Sequence, residues 1–131
     1  MIKKQIINYD IDSNEADIVL EQNNNKLLVY APMFNKNLDC ENFDLIAFLP
    51  TNIVISSELP SIQKTDDSYY SQKLIGVLAE KTKDLCKVNV LGFNIFLENV
   101  PKDIKINDVI EFDCLRIDYT QNLEKECNCS K

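Results

Sequence analysis

The sequence predicts a small, mainly β domain with a strongly bent antiparallel sheet, closed or nearly closed as a barrel, and with at most one or two short helices. The first observation behind this prediction is the stretch Asn107–Tyr119, where apolar and polar residues alternate as they do in a strand. The alternation changes phase at Cys114 and Leu115. Because strand side chains alternate with a period of two, this change requires an extra residue, a β-bulge, and bulges bend strands.

The second and third observations behind the predicted bend are the positions of the two glycines of the chain. Gly76 and Gly92 both fall within apolar, strand-like runs. Around Gly92, the stretch Leu85–Glu98 changes phase in the same way as the last strand does. Glycine inside a strand is typical of bulges and of sharp bends in barrels, so both positions favour a curved sheet.

The first third of the chain predicts three strands. Residues Gln5–Asp12 alternate between apolar and polar side chains, which indicates a strand. Residues Ala16–Ala31 have two apolar runs separated by the amide-rich segment Gln22–Asn25. Asparagine tolerates the positive φ of tight turns, so this segment predicts a hairpin.

The middle of the chain predicts short strands and a long connection. Asp44–Leu49 is apolar at both alternating sets of positions, which indicates a strand covered on both faces, and Ile53–Ile55 predicts a further short strand. Ser57–Ser71 has few apolar residues and predicts a long connection, a kind of segment that is often functional or flexible.

Residues 70–81 fit two structures. Tyr70, Leu74, Val77 and Leu78 have helical spacing, yet the same segment also alternates as a strand. The strand is the prediction, because the chain from Gly76 onward repeats the order of apolar strand, polar turn and apolar strand seen in the first hairpin.

The length of 131 residues predicts one domain over residues 1–121, followed by a flexible polar tail over residues 122–131. No apolar segment approaches the roughly 20 residues that cross a bilayer, and the N-terminus lacks the apolar run of a secretory signal. The predicted location is therefore cytoplasmic.

The cysteines predict reduced thiols rather than disulfides, because their number is odd and the expected compartment is reducing. The close pair in the tail lacks the histidines or further cysteines that a metal site needs, so no cofactor is predicted. The cysteines are Cys40, Cys86, Cys114, Cys127 and Cys129.

The net charge of −7 is unevenly distributed. Residues 1–71 contain 11 acids and 5 bases, whereas residues 72–131 contain 10 acids and 9 bases. An acidic surface disfavours nucleic-acid phosphates and favours a protein partner with a basic surface. No membrane partner is expected, and the oligomeric state is not predicted.

The segment Asp10–Glu21 has oxygen-bearing side chains at the positions of an EF-hand calcium loop. These residues are Asp10, Asp12, Asn14 and Glu21, at positions 1, 3, 5 and 12 of such a loop. However, Glu15 occupies the position that requires glycine, and strands rather than helices are predicted on both sides. The segment therefore predicts a solvated acidic turn, and a calcium site at these four residues is the less favoured alternative.

The candidate binding residues are polar side chains of the last strand and a pair of tyrosines. Carboxylates two residues apart on a strand share a face, here with the only arginine of the chain. The tyrosines are the only adjacent aromatic residues and end the predicted long connection. The candidates are Tyr69, Tyr70, Glu111, Asp113, Arg116 and Asp118.

The stretch Gly76–Tyr119 resembles the later part of OB-fold RNA-binding domains. The resemblance is carried by Ile104–Asp118, where a Lys-x-Gly-Asp-x-Val turn would begin a curved strand and Asn107 replaces the glycine. It implies a five-stranded barrel with an oligonucleotide or protein ligand on one face.

The chain has no histidine, no glycine-rich phosphate loop and no nucleophile elbow. We therefore expect no catalytic residues and a non-enzymatic, acidic binding module for a protein partner, such as an inhibitor or immunity-type protein. The alternatives are an OB-like domain that binds single-stranded nucleic acid and a small enzyme with a carboxylate or thiol site.

Overall fold

The computed structural model describes residues 2–35 and 42–121. These residues form eleven strands and no helix. None of the described elements is a helix that could cross a membrane. The strands are β1 Lys3–Asp10, β2 Glu15–Gln22, β3 Asn25–Ala31, β4 Phe43–Phe48, β5 Thr51–Ile55, β6 Ser61–Lys64, β7 Gln72–Lys81, β8 Cys86–Val90, β9 Phe93–Leu97, β10 Val109–Cys114 and β11 Arg116–Gln121.

The predicted phase change in the last strand is confirmed. Strands β10 and β11 are separated only by Leu115, and the buried side chains pass from even-numbered positions in β10 to odd-numbered positions in β11. The prediction that Leu115 itself joins the buried row is wrong, because its side chain is 41% exposed. Leu115 is the extra residue after which the alternating side chains change faces. Its backbone N–H donates to the Phe48 carbonyl oxygen at 3.2 Å.

The strands form one strongly bent, mixed sheet. Their order is β1-β2-β3-β11-β4-β9-β8-β7-β10-β5, with β6 paired to β7 outside this path. The expected bend is present, but the path is open and the sheet is not closed into a barrel. It is not wholly antiparallel either, because β3 pairs with β11 and β4 pairs with β9 in parallel.

The bend arises where two long stretches of chain change direction together. Strands β4 and β5 run antiparallel to β11 and β10, so the break at Leu49 and Pro50 lies beside the break at Leu115. Leu49 and Asn52 both have positive φ, at 50° and 55°. These two adjacent breaks place β10 and β11 in different parts of the same sheet.

The predicted hairpin of β2 and β3 is confirmed. Asn23 and Asn24 form its two-residue turn with φ of 53° and 68°, the positive values that a type I′ turn requires. This turn sets the pairing of the strands, so Asp17 lies opposite Tyr30 on the outer face. The inner side chains are buried and include Ile18.

The second predicted bulge, at Gly92, is a hairpin turn instead. Strand β8 ends at Val90, β9 begins at Phe93, and these two residues face each other. Leu91 and Gly92 have φ of 51° and 94°, so they form a two-residue turn with both φ positive. A tight turn of two residues changes the alternation of apolar residues just as a bulge does, which is why the sequence pattern suggested the wrong feature.

The ambiguous segment around Gly76 is strand β7, as predicted. It pairs with β10 along one edge and with β6 and β8 along the other. Strand β6, within the predicted connection Ser57–Ser71, was not predicted, because its four residues include only one apolar side chain, Ile62.

The core lies between the folded-over parts of the sheet. Its largest buried side chains come from β2, β3, β4, β7, β9, β10 and β11. The predictions for Cys40 and for the tail 122–131, including Cys127 and Cys129, lie outside the described residues. The largest fully buried side chains are Tyr119, Phe93, Phe112, Ile18, Leu20, Leu27, Leu45, Leu74, Ile75, Leu78, Ile95 and Leu97.

Gly76→Ala should destabilise the protein by about 1–3 kcal/mol, because a Cβ would lie 2.5 Å from the Asn89 carbonyl oxygen and 2.6 Å from Val90 Cγ2. Gly92→Asn is the matched variant, since asparagine tolerates positive φ, and it should cost less than Gly76→Ala. Urea unfolding followed by circular dichroism measures both. Equal unfolding midpoints for Gly76→Ala and the wild type would contradict the close packing of β7 on β8.

Candidate functional site

An open depression of about 460 Å³ lies on the outer face of the β1, β2 and β3 region. Its walls combine carboxylates with tyrosine rings. Part of the wall comes from the predicted acidic segment between β1 and β2. The lining residues are Asn8, Tyr9, Asp10, Ile11, Glu15, Ala16, Asp17, Tyr30 and Tyr70.

The register of the strands brings the polar side chains of this depression together. Asn8 of β1 lies opposite Asp17 of β2, which lies opposite Tyr30 of β3, which in turn pairs with Asp118 of β11. Residues in register across a sheet have side chains on the same face, so these four form one outward row.

Asp17 is the most constrained carboxylate of the row. Its Oδ1 accepts a hydrogen bond from the Tyr70 hydroxyl at 2.5 Å, and its Oδ2 accepts one from the Asn8 amide at 3.0 Å. Burial first, and then the bond to Asp17, raise the pKa of Tyr70 above its ordinary value. The neutral hydroxyl therefore remains a donor to the carboxylate at physiological pH.

Tyr30 is held in the same way by a different carboxylate. Its hydroxyl hydrogen-bonds with Glu15, and this bond, together with burial and the negative charge of Glu15, raises the pKa of Tyr30 to about 12. Glu15 and Asp17 are two residues apart on β2 and thus share the outer face. The phenols of Tyr70 and Tyr30 thus hold the two carboxylates in place.

The aromatic rings continue from the depression to the only arginine. The ring centroids of Tyr30 and Tyr70 are 5.4 Å apart, and those of Tyr69 and Tyr70 are 4.9 Å apart, both in edge-to-face contact. The Arg116 guanidinium carbon lies 4.7 Å from the Tyr30 ring centroid and 4.2 Å from that of Phe48. Arg116 is therefore stacked between two aromatic rings.

The depression has a negative potential. Asp10, Glu15 and Asp17 line it and Asp12 lies in the adjoining turn, and none of the four forms an ion pair with a lysine or arginine within the described residues. Arg116 contacts the Tyr30 ring, but its Nε donates to Asp118 Oδ1 at 2.6 Å. Asp10, Glu15 and Asp17 therefore line the depression without an ion-pair partner among the described lysines and the arginine.

The structure separates the predicted binding residues into two groups. Tyr69, Tyr70, Arg116 and Asp118 belong to the aromatic and charged surface around Tyr30.

The other two predicted residues lie on β10, beyond the bend. Glu111 forms an ion pair with Lys73 at 3.1 Å, and Asp113 accepts a hydrogen bond from Asn52 at 2.9 Å. These contacts join neighbouring strands, and neither carboxylate lines the depression.

The calcium-like spacing does not produce a set of converging oxygens. Asp10 pairs with Glu15 at one end of the β1–β2 hairpin, whereas Glu21 pairs with Lys3 at the other end. Asp10 Oδ1 accepts the Asp12 backbone N–H at 2.9 Å, which is a turn contact. Among the described residues, no group of three or more His, Cys, Asp or Glu side chains could hold a metal ion.

The described thiols are core groups. Cys114 and Cys86 are both buried. Burial raises the pKa of Cys114 to about 12 and also raises the pKa of Cys86. A thiol with a raised pKa remains protonated at neutral pH, so neither residue supplies a thiolate nucleophile.

A second depression, of about 420 Å³, lies at the far ends of β7, β8 and β9. It is lined by three lysines, Lys81, Lys83 and Lys102, and by Asp84. The Lys81 ammonium donates to the carbonyl oxygens of Lys102 and Ile104. This lysine therefore joins the end of β7 to the loop between β9 and β10. The potential of this depression is opposite in sign to that of the first.

The predicted binding residues did not include Asn8, Glu15, Asp17 and Tyr30, all of which line the depression. The register that joins Asp17 to Tyr30 follows from a two-residue turn at Asn23–Asn24, so the predicted hairpin contained the information. The contact of Tyr70 with Asp17 spans 53 positions of sequence and has no local signature.

No protein-family model matches the chain, and no curated protein or solved structure matches it either. The resemblance to OB-fold domains therefore depends only on residues 76–119 of the sequence.

The raised pKa of Tyr30 predicts a pH dependence of stability. The folded state holds this phenolic proton more tightly than the unfolded chain, whose tyrosine pKa is about 10. The stabilisation should be complete below about pH 10 and should be lost as the pH rises through about 12. The measurement is urea unfolding at a series of alkaline pH values for the wild type and for Tyr30→Phe. An identical pH dependence in both proteins would contradict the hydrogen bond to Glu15.

Proposed function

We propose that the protein is a non-enzymatic, acidic binding module that engages a protein partner with a basic surface. The observation that carries this proposal is the depression in which Asp17 and Glu15 lie beside the rings of Tyr30 and Tyr70 and form no ion pair with any lysine or arginine that the structure describes. On this proposal, a lysine or arginine side chain of the partner enters the depression.

The chemistry of the depression supports a cationic ligand. Carboxylates accept charge-assisted hydrogen bonds from ammonium and guanidinium groups, and tyrosine faces attract the same cations. Because the phenols already fix Asp17 and Glu15, little ordering of these side chains is needed when a cation arrives. The Arg116 side chain, stacked on Tyr30, is an internal example of this contact.

The charge distribution supports a protein partner of opposite sign. Most of the net charge of −7 comes from residues 1–71, and these residues include all the acids of the depression. Complementary charge accelerates encounter and selects the partner. An inhibitor or immunity-type protein that covers a basic active site is one concrete form of this function.

The nucleic-acid alternative has less support. Strand binders combine stacking aromatic rings with a positive groove, and here the tyrosines are surrounded by acids. The lysine-lined depression shares no lining residue with the tyrosine-lined depression and contains no aromatic residue. An enzyme with a thiol site is also less well supported, because Cys86 and Cys114 are buried and protonated.

Binding of a fluorescent peptide rich in lysine and arginine tests the proposal. The wild type should bind it at low salt, and added salt should weaken the binding because the charges lie at the surface. Asp17→Asn should weaken binding about tenfold, since the lost contact is charge-assisted, and Tyr30→Leu should weaken it about threefold through the lost ring face. Fluorescence anisotropy measures the dissociation constants.

Asp103→Asn is the matched control, because it removes the same charge at an exposed position outside the depression. Its effect on the dissociation constant should be under about twofold. An equal loss with Asp103→Asn and Asp17→Asn would show that binding depends on net charge and not on the depression. Tighter binding of a single-stranded oligonucleotide than of the peptide would favour the alternative.

A further inference from the structure

Strand β1 lies at one end of the sheet and has an edge that no other described strand covers. It pairs with β2 only, and most of its side chains are exposed. Exposed edges expose unpaired backbone N–H and C=O groups that can pair with another chain. The side-chain pattern of β1 identifies which chain that is.

A bulge in β1 determines which side chains share a face. Its pairing with β2 passes from Ile6 opposite Ile18 directly to Asn8 opposite Asp17, so Ile7 is an extra residue. Before the bulge, the odd-numbered residues of β1 lie on the outer face, and after it the even-numbered residues do. The outer face therefore carries Lys3, Gln5, Asn8 and Asp10. Without the bulge, Lys3 and Asp10 would lie on opposite faces.

This arrangement makes the edge complementary to itself. If two copies of β1 pair antiparallel about a two-fold axis at Ile6 and Ile7, Lys3 of each copy faces Asp10 of the other. Gln5 then faces Asn8, and Ile6 faces Ile7. Each facing pair lies on one face of the joined sheet, as antiparallel pairing requires.

The charges and the exposed apolar groups fit this pairing. Lys3 forms no ion pair within the described residues, and Asp10 forms none either. Ile6 and Ile7 are 45% and 40% exposed at the centre of the edge. Two lysines near the start of β1 also offset the repulsion expected between two chains of net charge −7.

We propose that β1 pairs with the β1 of a second copy of this chain, forming a symmetric dimer through continuous sheet. The occupant of the edge is a second copy because the reversed order of the same side chains places Lys3 against Asp10, Gln5 against Asn8 and Ile6 against Ile7. The two-fold axis repeats each contact, so one substitution alters two places in the dimer. The dimer interface includes Asn8 and Asp10, which also line the depression, but the inference is drawn from the side-chain pattern of β1 and not from a bound cation.

Charge exchange across the edge tests the dimer. The wild type should sediment as a dimer that dissociates on dilution. Lys3→Asp alone, or Asp10→Lys alone, should raise the dimer dissociation constant about tenfold, because two attractive pairs become two repulsive ones. The double variant Lys3→Asp/Asp10→Lys restores opposite charges and should return to within about threefold of the wild type. Sedimentation equilibrium at low ionic strength measures these constants.

Lys105→Asp and Asp103→Lys are the matched controls, because they change the same charges at exposed positions outside β1 and should leave dissociation unchanged. Ile7→Lys provides a second test, since a charge at the centre of the edge should give a monomer, with circular dichroism confirming that it is folded. A wild type that remains monomeric at every concentration would overturn the inference. So would a double variant that dissociates as readily as either single variant.

Discussion

The fold depends on the requirement that one stretch of chain bury two rows of side chains that a regular strand would place on opposite faces. Residues 109–121 bury Ile110, Phe112 and Cys114 and then Ile117 and Tyr119 in the same core. Only the extra residue Leu115 permits this, and the adjacent break at Leu49 and Pro50 lets the neighbouring strands follow. The bent sheet is thus a consequence of a strand period of two and a single core.

The bend also determines what lies on the outer face. Beyond Leu115, strand β11 pairs with β3, so Arg116 and Asp118 come to lie beside Tyr30 and are separated from Glu111 and Asp113. The β2–β3 hairpin adds Asp17, and the chain before β7 adds Tyr70. The Tyr70 hydroxyl donates to Asp17 there and so orders this acidic surface. A surface of this kind suits a cationic group from outside the molecule.

Much of the fold could be predicted from local patterns, whereas the site could be predicted only in part. The phase change at Leu115, the asparagine turn and the strand around Gly76 all follow from side-chain alternation and turn chemistry. The Gly92 turn was mistaken for a bulge because both shift the alternation by one position. Tyr70 and Arg116 stood out by residue type, but their contacts with Asp17 and Tyr30 depend on distant strand pairing that no local pattern records.

We propose that a basic partner binds in this acidic, tyrosine-lined depression. The most direct measurement is nuclear magnetic resonance of the isotope-labelled protein during titration with a lysine- and arginine-rich peptide. We expect the largest chemical-shift changes at Asn8, Asp17, Tyr30 and Tyr70, and these changes should follow one saturable curve. Changes centred on β10 around Glu111, or spread evenly over all the acidic residues, would contradict it.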